Sequence, residues 1–343
     1  MLRINNVVSY KIDNRNLILL KELDRASELL KLSIDFTELW KCIIPKSYDF
    51  FIFKECVYVT TKDSSQTFVI NKNDGKNLGQ LLNLAIHLPV AYQSDSFVIS
   101  YSTYFNVKSG ILFDDKMNAV EKLNPFGLKV TKVINKDSFI SFNKGILNLV
   151  EFLTSSIVWS IDLMKEVINR SNEDNVKLRF LNVMILMEVM VVSVFNTKSN
   201  FQYLFGIDTN TGLINWIKKS IMNFGVDKDS LFTLEREGEV VIFDVKTGLL
   251  KGTKDLSDSF LIHDIICSRG LEKTDNKFFF KDDEGKKLGV IDIDRLELEF
   301  VKDLPKDALL SPNEYPKITG EIMIVHDSIA KELYLIDLEN HEA

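Results

Sequence analysis

A chain of 343 residues that is 45% hydrophobic and 27% charged, with only 15 glycines and 6 prolines, has a globular composition and excludes a large disordered region. Its 49 acidic against 42 basic residues leave a formal charge of −7, which argues against a nucleic-acid-binding or anionic-membrane surface. Cys42, Cys56 and Cys267 are odd in number and widely spaced, with no C-x-x-C pair. That pattern points away from a disulfide framework or a zinc site and toward buried structural thiols in a reducing compartment.

Taken in chain order, the opening residues MLRINNVVSYKIDNRN lack the apolar core and cleavage site of a signal peptide, so a cytoplasmic location is expected. LLKELDRASELLK turns at Asp24, and its KELDRASELLKL part fits a helix as well as strand plus loop. SYDFFIFKECVYVTT reads as strand, and TFVINKNDGKNLG as strand, turn and strand about Asn71. DSFVISYSTYFNV is strand-like, ILFDDKMNAVEKL turns at Asp114, and LNLVEFLTSSIVW turns at Glu151. IDLMKEVINR again fits helix or strand plus loop.

Phe180 to Phe195, FLNVMILMEVMVVSVF, spans sixteen residues and carries Asn182 and Glu188. It is too short and too polar to cross a bilayer and is read as one or two buried strands. YLFGIDTNTGLINW at Asp208 and VVIFDVKTGLLKG at Asp244 bracket the strand-like DKDSLFTLEREGEV. NKFFFKDDEGKKLGVID is a hairpin with a polar Asp282–Gly285 turn, followed by LGVIDIDRLELEF at Asp292. GEIMIVHDSIAKELYLIDL is another hairpin, and LYLIDLENHEA ends its apolar run at Asp337.

Eight acidic or amide anchors therefore end apolar runs, at Asp24, Asn71, Asp114, Glu151, Asp208, Asp244, Asp292 and Asp337. Since 313 residues separate the first from the last, the seven intervals average about 45, the length of one four-stranded propeller blade. Each copy is strand, tight turn and strand; an Asp at the start of the turn can accept backbone N–H bonds a few residues on, and Thr or Ser three residues later, where present, can add a local bond. The fifth position requires a residue that tolerates positive φ, as in a type I turn with a G1 bulge. It is Gly75, Gly212 and Gly248 in three copies and Asn118 in a fourth. Trp159 and Trp216 each lie eight residues after their anchors, a fixed strand position suited to packing between neighbouring blades.

On IDTNTGLINW, FDVKTGLLKG and LDRASELLK the chain resembles pyrroloquinoline-quinone-type (PQQ-like) β-propellers and, more loosely, WD-repeat propellers. The resemblance implies an all-β fold, with residues 1–343 forming a single β-propeller domain of four-stranded antiparallel blades. Seven blades are favoured and eight remain open, with an N-terminal strand near NVVSYKID completing the C-terminal blade. Quinone enzymes of this shape use a calcium ion held by acidic and amide side chains together with a catalytic aspartate. No set of residues here maps onto that site, so no cofactor is carried over.

Several stretches were weighed for chemistry. Asp208–Gly212 and Asn71–Gly75 superficially resemble calcium loops but lack the downstream bidentate Glu, and are read as hairpin turns. Of His87, His263, His326 and His341, the second and third precede an Asp, in LIHDIIC and MIVHDS; with no companion ligands they are read as structural. Asp114-Asp115 and Asp282-Asp283 fall in turns, and the Lys pairs in IKKSIM and EGKKLG are isolated. No G-x-S-x-G elbow, P-loop, dinucleotide fingerprint or H-E-x-x-H occurs.

No catalytic, cofactor-binding, metal or partner-binding residue is therefore assigned. The expected role is a non-enzymatic protein-binding propeller with another protein as partner, such as an immunity-type inhibitor that caps a toxin. A hydrolase or lyase acting on a carbohydrate in a central channel, and a structural subunit of a larger assembly, are the alternatives.

Overall fold

The computed structural model describes residues 2–63, 66–82, 90–93, 98–102, 109–114, 116, 118–123, 128, 130–171, 175–186, 188–219, 224–274, 276–282, 284–304 and 317–337. Among them the apolar runs pair into eight four-stranded antiparallel sheets. Seven use four consecutive strands each: sheet 1 over 7–45, sheet 2 over 47–82, sheet 3 over 90–123, sheet 4 over 132–162, sheet 5 over 178–219, sheet 6 over 224–255 and sheet 7 over 267–303. Sheet 8 takes three strands from 317–337 and its fourth from Leu2–Asn5, which pairs Leu2 with Leu335 and Asn5 with Glu332.

The chain divides into two compact units. The first comprises Met1–Phe139, Glu151–Ser156 and Pro316–Ala343, and holds sheets 1, 2, 3 and 8. The second comprises Ile140–Val150 and Ile157–Tyr315, and holds sheets 5, 6 and 7; sheet 4 is apportioned to both.

In each unit the inner strands are continuous apolar runs because both of their faces are covered. In the first unit, Ile18 and Leu20 of the strand Asn16–Glu22 pack with Phe50 and Val59 of sheet 2. Leu17 and Leu19 of the same strand point the other way, onto Ile324 and Leu333 of sheet 8. In the second unit Leu231 packs with Val191 and Leu204 of sheet 5, while its neighbour Phe232 packs with Phe278 and Phe280 of sheet 7. Each such side chain contributes about 1.5–3 kcal/mol on burial.

Six of the eight anchors end the third strand of a sheet, from Asn71 in sheet 2 to Asp337 in sheet 8, and Asp114 directly follows the third strand of sheet 3. Asp24 does not: it lies between the second and third strands of sheet 1, and the equivalent corner begins at Ser33, whose N–H donates to Thr37 O at 3.0 Å. A hydroxyl stands there in place of an acid or amide, which hid the corner. Among the described residues the sheets number eight, the count left open beside the favoured seven. Among the described residues no hairpin is left over, because Asp337 ends a third strand whose fourth is Leu2–Asn5. NVVSYKID lies instead mostly in Val7–Asp13, the first strand of sheet 1.

The corners are built as their residues require. Asp208 Oδ1 accepts from Thr211 N and Oγ1, both at 2.8 Å, and Asp244 Oδ1 does the same with Thr247. Gly212 N donates to Asp208 O at 2.9 Å, and the ladder slips register one residue before the anchor. These bonds hold the Asp208 and Asp244 carboxyls below the usual carboxylate range, the backbone N–H of Thr211 leading in the first and the Thr247 hydroxyl in the second.

The fifth corner residue has φ of +70° at Gly75, +73° at Gly212 and +68° at Gly248, yet Ser155 and Leu296 hold the same position at +55° and +52°. Positive φ alone therefore does not select glycine. Tryptophan does. Trp40 of sheet 1, Trp159 of sheet 4 and Trp216 of sheet 5 each lie on the fourth strand and lean onto the corner of the following sheet. A Cβ on Gly75, Gly212 or Gly248 would stand 2.7, 2.8 or 2.5 Å from the facing ring. Each indole Nε1 donates to the carbonyl just past the anchor: Lys72 O at 3.0 Å, Thr209 O at 2.9 Å and Val245 O at 2.8 Å. The two tryptophans read as inter-blade packing occupy that position, with Trp40 as a third.

The ambiguous helical stretches divide. Lys21–Leu32 is strand, turn and strand, whereas α1 (Leu163–Ser171) is a helix that takes in most of IDLMKEVINR and one residue beyond it. The Phe180–Phe195 segment is two strands, Leu178–Leu186 and Val189–Asn196, of which only the second is buried nearly throughout. All three thiols are free, but only Cys267 is fully buried; Cys42, on the outer fourth strand of sheet 1, and Cys56, the first residue of an inner strand of sheet 2, are half-buried.

Candidate protein-interaction surface

The residues first weighed for chemistry are employed locally. Asp208 and Asn71 spend their side-chain oxygens on their own turns, the latter accepting from Asn73 N at 2.8 Å. Asp114 accepts from the N–H groups of Lys116 and Asn118, and Asp282 from those of Lys286 and Lys287. Their neighbours Asp115 and Asp283, and also His87 and His341, lie outside the described residues.

His326 is half-buried, with Nε2 3.1 Å from Val7 O and its ring edge-on to Tyr10 at 5.5 Å. His263 is exposed at the end of a helix in the other unit. Among the described residues no group of three or more His, Cys, Asp or Glu side chains is placed to hold a metal ion. The Lys pairs are also committed: Lys218 lies over the Phe243 ring and Lys219 over Phe201, both at 4.2 Å.

In the first unit a shallow hollow of about 600 Å³ is lined by Pro45, Lys46, Thr61, Lys62, Asp63 and Gln66. Asp63 is the one carboxylate among these six, and its Oδ1 is taken by Thr61 Oγ1 at 2.6 Å. General acid–base hydrolysis of a glycoside needs a pair of carboxyl groups.

The second unit presents a different feature. Between sheets 6 and 7 the chain forms α2 (Ser257–Ile262), which the sequence reading did not find. Six residues with no side-chain cap carry too little helical period to register. Tertiary packing fixes it instead. Leu256, Phe260 and Ile265 are buried in the core shared by sheets 6 and 7, with Phe260 stacked on Phe280 at 5.1 Å. Leu256 N donates to Gly238 O at 3.1 Å, and Ile265 N to Phe260 O at 3.0 Å. Lys287 Nζ donates to His263 O at 2.7 Å and to Asp264 O at 3.0 Å, satisfying carbonyls past the helix end.

On this fixed base Leu261 and Ile262 point outward, 80% and 78% exposed, and Ile266 is 51% exposed. Single exposed aliphatics are ordinary, but adjacent ones on a rigid projection leave apolar area in water that a partner would cover. A second set of exposed aliphatics, Leu213, Leu249 and Leu250, follows the glycine corners of sheets 5 and 6, at the opposite end of their strands from α2.

No family model matches the chain, and no curated protein matches it. Among solved structures it is similar to the C-terminal WD40 domain of Sif2, at 12% identity and a TM-score of 0.60 over 98% of this chain and 97% of that one. It is also similar to the computationally designed Ika8 protein, at 11% identity and 0.60 over 97% and 96%. Sqt1 of Saccharomyces cerevisiae aligns at 10% identity and 0.56, over 97% and 96%. With four-stranded sheets repeated along the chain and this likeness over nearly its full length, the chain has a β-propeller fold similar to that of the Sif2 WD40 domain.

Proposed function

We propose that this chain is a non-enzymatic, protein-binding propeller of a reducing compartment such as the cytoplasm, and that it acts by covering a surface of its partner. The observation that carries the reading is the α2 projection: two adjacent aliphatic side chains, about four-fifths exposed, on a helix held to the core by Phe260 and by the flanking Leu256 and Ile265. Rigid anchors of this kind make productive contacts because little side-chain or loop entropy is lost when they dock. Three free thiols agree with a reducing compartment.

The finer role we propose is inhibition of the partner, in the manner of an immunity protein capping a toxin, since a rigid contact surface blocks by occupancy alone. The test is affinity capture of the tagged full chain from its own organism, followed by assay of any stoichiometric partner with and without this chain. Recovery of the bare protein at every salt concentration would remove the protein-binding reading. A partner whose activity is unchanged by saturating chain would remove inhibition and leave binding.

A further inference from the structure

We propose that the α2 projection seats in an apolar cleft of a basic protein, with Leu261 and Ile262 entering the cleft and surrounding carboxylates selecting a rim of Lys and Arg. The inference rests on the protein-binding reading and adds the chemistry of the partner.

The charge comes from two segments in contact. The loop 235–239 lies against α2: Gly238 O accepts from Leu256 N, Arg236 O accepts from Cys267 N at 2.9 Å, and a Cβ on Gly238 would stand 2.8 Å from the Phe260 ring. That loop carries Glu235, Glu237 and Glu239, and the chain around α2 adds Asp255, Asp258 and Asp264. Against these six carboxylates stand Arg236, Lys254 and Lys287, the last turned onto the backbone carbonyls of residues 263 and 264.

Asp264 faces the Lys287 ammonium at 3.9 Å, but among the described residues no ion pair engages Glu237, Glu239 or Asp258. Crowding of like charge shows at Glu235, whose carboxyl is pushed up first by burial and then by the Glu239 carboxylate. A basic rim relieves that repulsion as it docks, while nucleic acid or an anionic lipid surface would add to it. An aliphatic centre inside a charged border is the arrangement in which apolar contacts set residence time and charges set encounter rate and partner choice.

The experiment uses the full chain carrying photoreactive p-benzoylphenylalanine at Ile262 or, separately, at Leu213, irradiated in its own cells with adducts identified by mass spectrometry. The expected result is one protein adduct from position 262, joined through a segment beside an apolar cleft rich in Lys and Arg. The cross-linked protein, made recombinantly, should then bind Leu261→Asp about tenfold or more weakly. It should bind the pair Glu237→Lys and Asp258→Lys about three- to tenfold more weakly, with a shallower salt dependence than wild type.

All these positions are exposed, and circular dichroism of each variant is the check that it folds. Adducts from position 213 alone would overturn the α2 assignment and leave the protein-binding reading standing. Adducts from neither position would overturn both. A nucleic-acid adduct, a second copy of this chain, an acidic cross-linked segment, or affinity indifferent to the charge reversals would overturn the partner chemistry.

Discussion

The indole of Trp216 lies between two glycines, Gly206 across its own ladder and Gly248 at the corner of the next sheet. A Cβ on either would stand 2.1 or 2.5 Å from the ring. Alanine at either position must therefore displace the ring or the backbone. Gly248→Ala is expected to cost about 2–4 kcal/mol, including about 1 kcal/mol for a side chain at φ +68°. Ser155→Gly, at an equivalent corner with no tryptophan against it, should change stability by less than about 1 kcal/mol. Urea unfolding of the two variants decides the matter, and equal midpoints would remove the tryptophan from the explanation.

The three indole hydrogen bonds differ in what their loss leaves behind. Lys72 O also accepts from the buried Lys31 ammonium at 3.0 Å, so Trp40→Phe leaves that carbonyl paired. Trp159→Phe strips the donor from Thr209 O, on a residue whose own hydroxyl is already buried without a partner. Trp159→Phe should destabilise by about 1–3 kcal/mol and Trp40→Phe by about 1 kcal/mol less. The reverse order in denaturant unfolding would contradict this account.

Glu22 carries a pH dependence of definite sign. Bonds from Lys331 and then Lys46 draw its carboxyl from an ordinary value of 4.5 down to about 2. A carboxyl depressed on folding adds stability above its unfolded value, and that stability drains away as the pH falls from about 4.5 toward 2. Melting temperatures of wild type and Glu22→Gln should therefore differ most at pH 5 and above and converge toward about pH 2. A constant gap across the range would show the pairing to be inert.

Cys42 should be slow to alkylate. Burial, helped by the Glu28 carboxylate, pushes its thiol up to about 11, which leaves little thiolate near neutrality. In the native protein at about pH 8, iodoacetamide is expected to modify Cys42 far more slowly than it modifies the unfolded chain, as read by peptide mass spectrometry. Equal rates in the two states would show that the residue is open.

The architecture was legible because its corners are chemical. An acceptor side chain, a hydroxyl three residues on and a residue at positive φ form a pattern that survives where Glu151 replaces Asp, and its first and last parts survive at Asn71. It failed at Ser33, where the acceptor is only a hydroxyl, and so the first repeat was anchored nine residues early at Asp24. The partition of corner glycines was hidden for another reason: the residue that demands each glycine sits about 32 to 53 positions earlier, on a different sheet. α2 was invisible because packing of Phe260 and Leu256, not local period, creates it. The outward turn of Leu261 and Ile262 then follows from which neighbours are anchored, and SDSFLIHDII alone does not separate the anchored side chains from the free ones.

The pairing of Leu2–Asn5 with the strand Glu332–Asp337 has a consequence in time. During synthesis the four residues of the edge strand leave the ribosome more than 300 residues before their hydrogen-bonding partners are made. A nascent chain therefore carries an unmatched strand while all the intervening residues are made, and sheet 8 is completed only by a contact spanning more than 300 residues. Stalling or truncation before residue 332 would leave both the edge strand and the flank of sheet 1 that sheet 8 normally covers open to other chains.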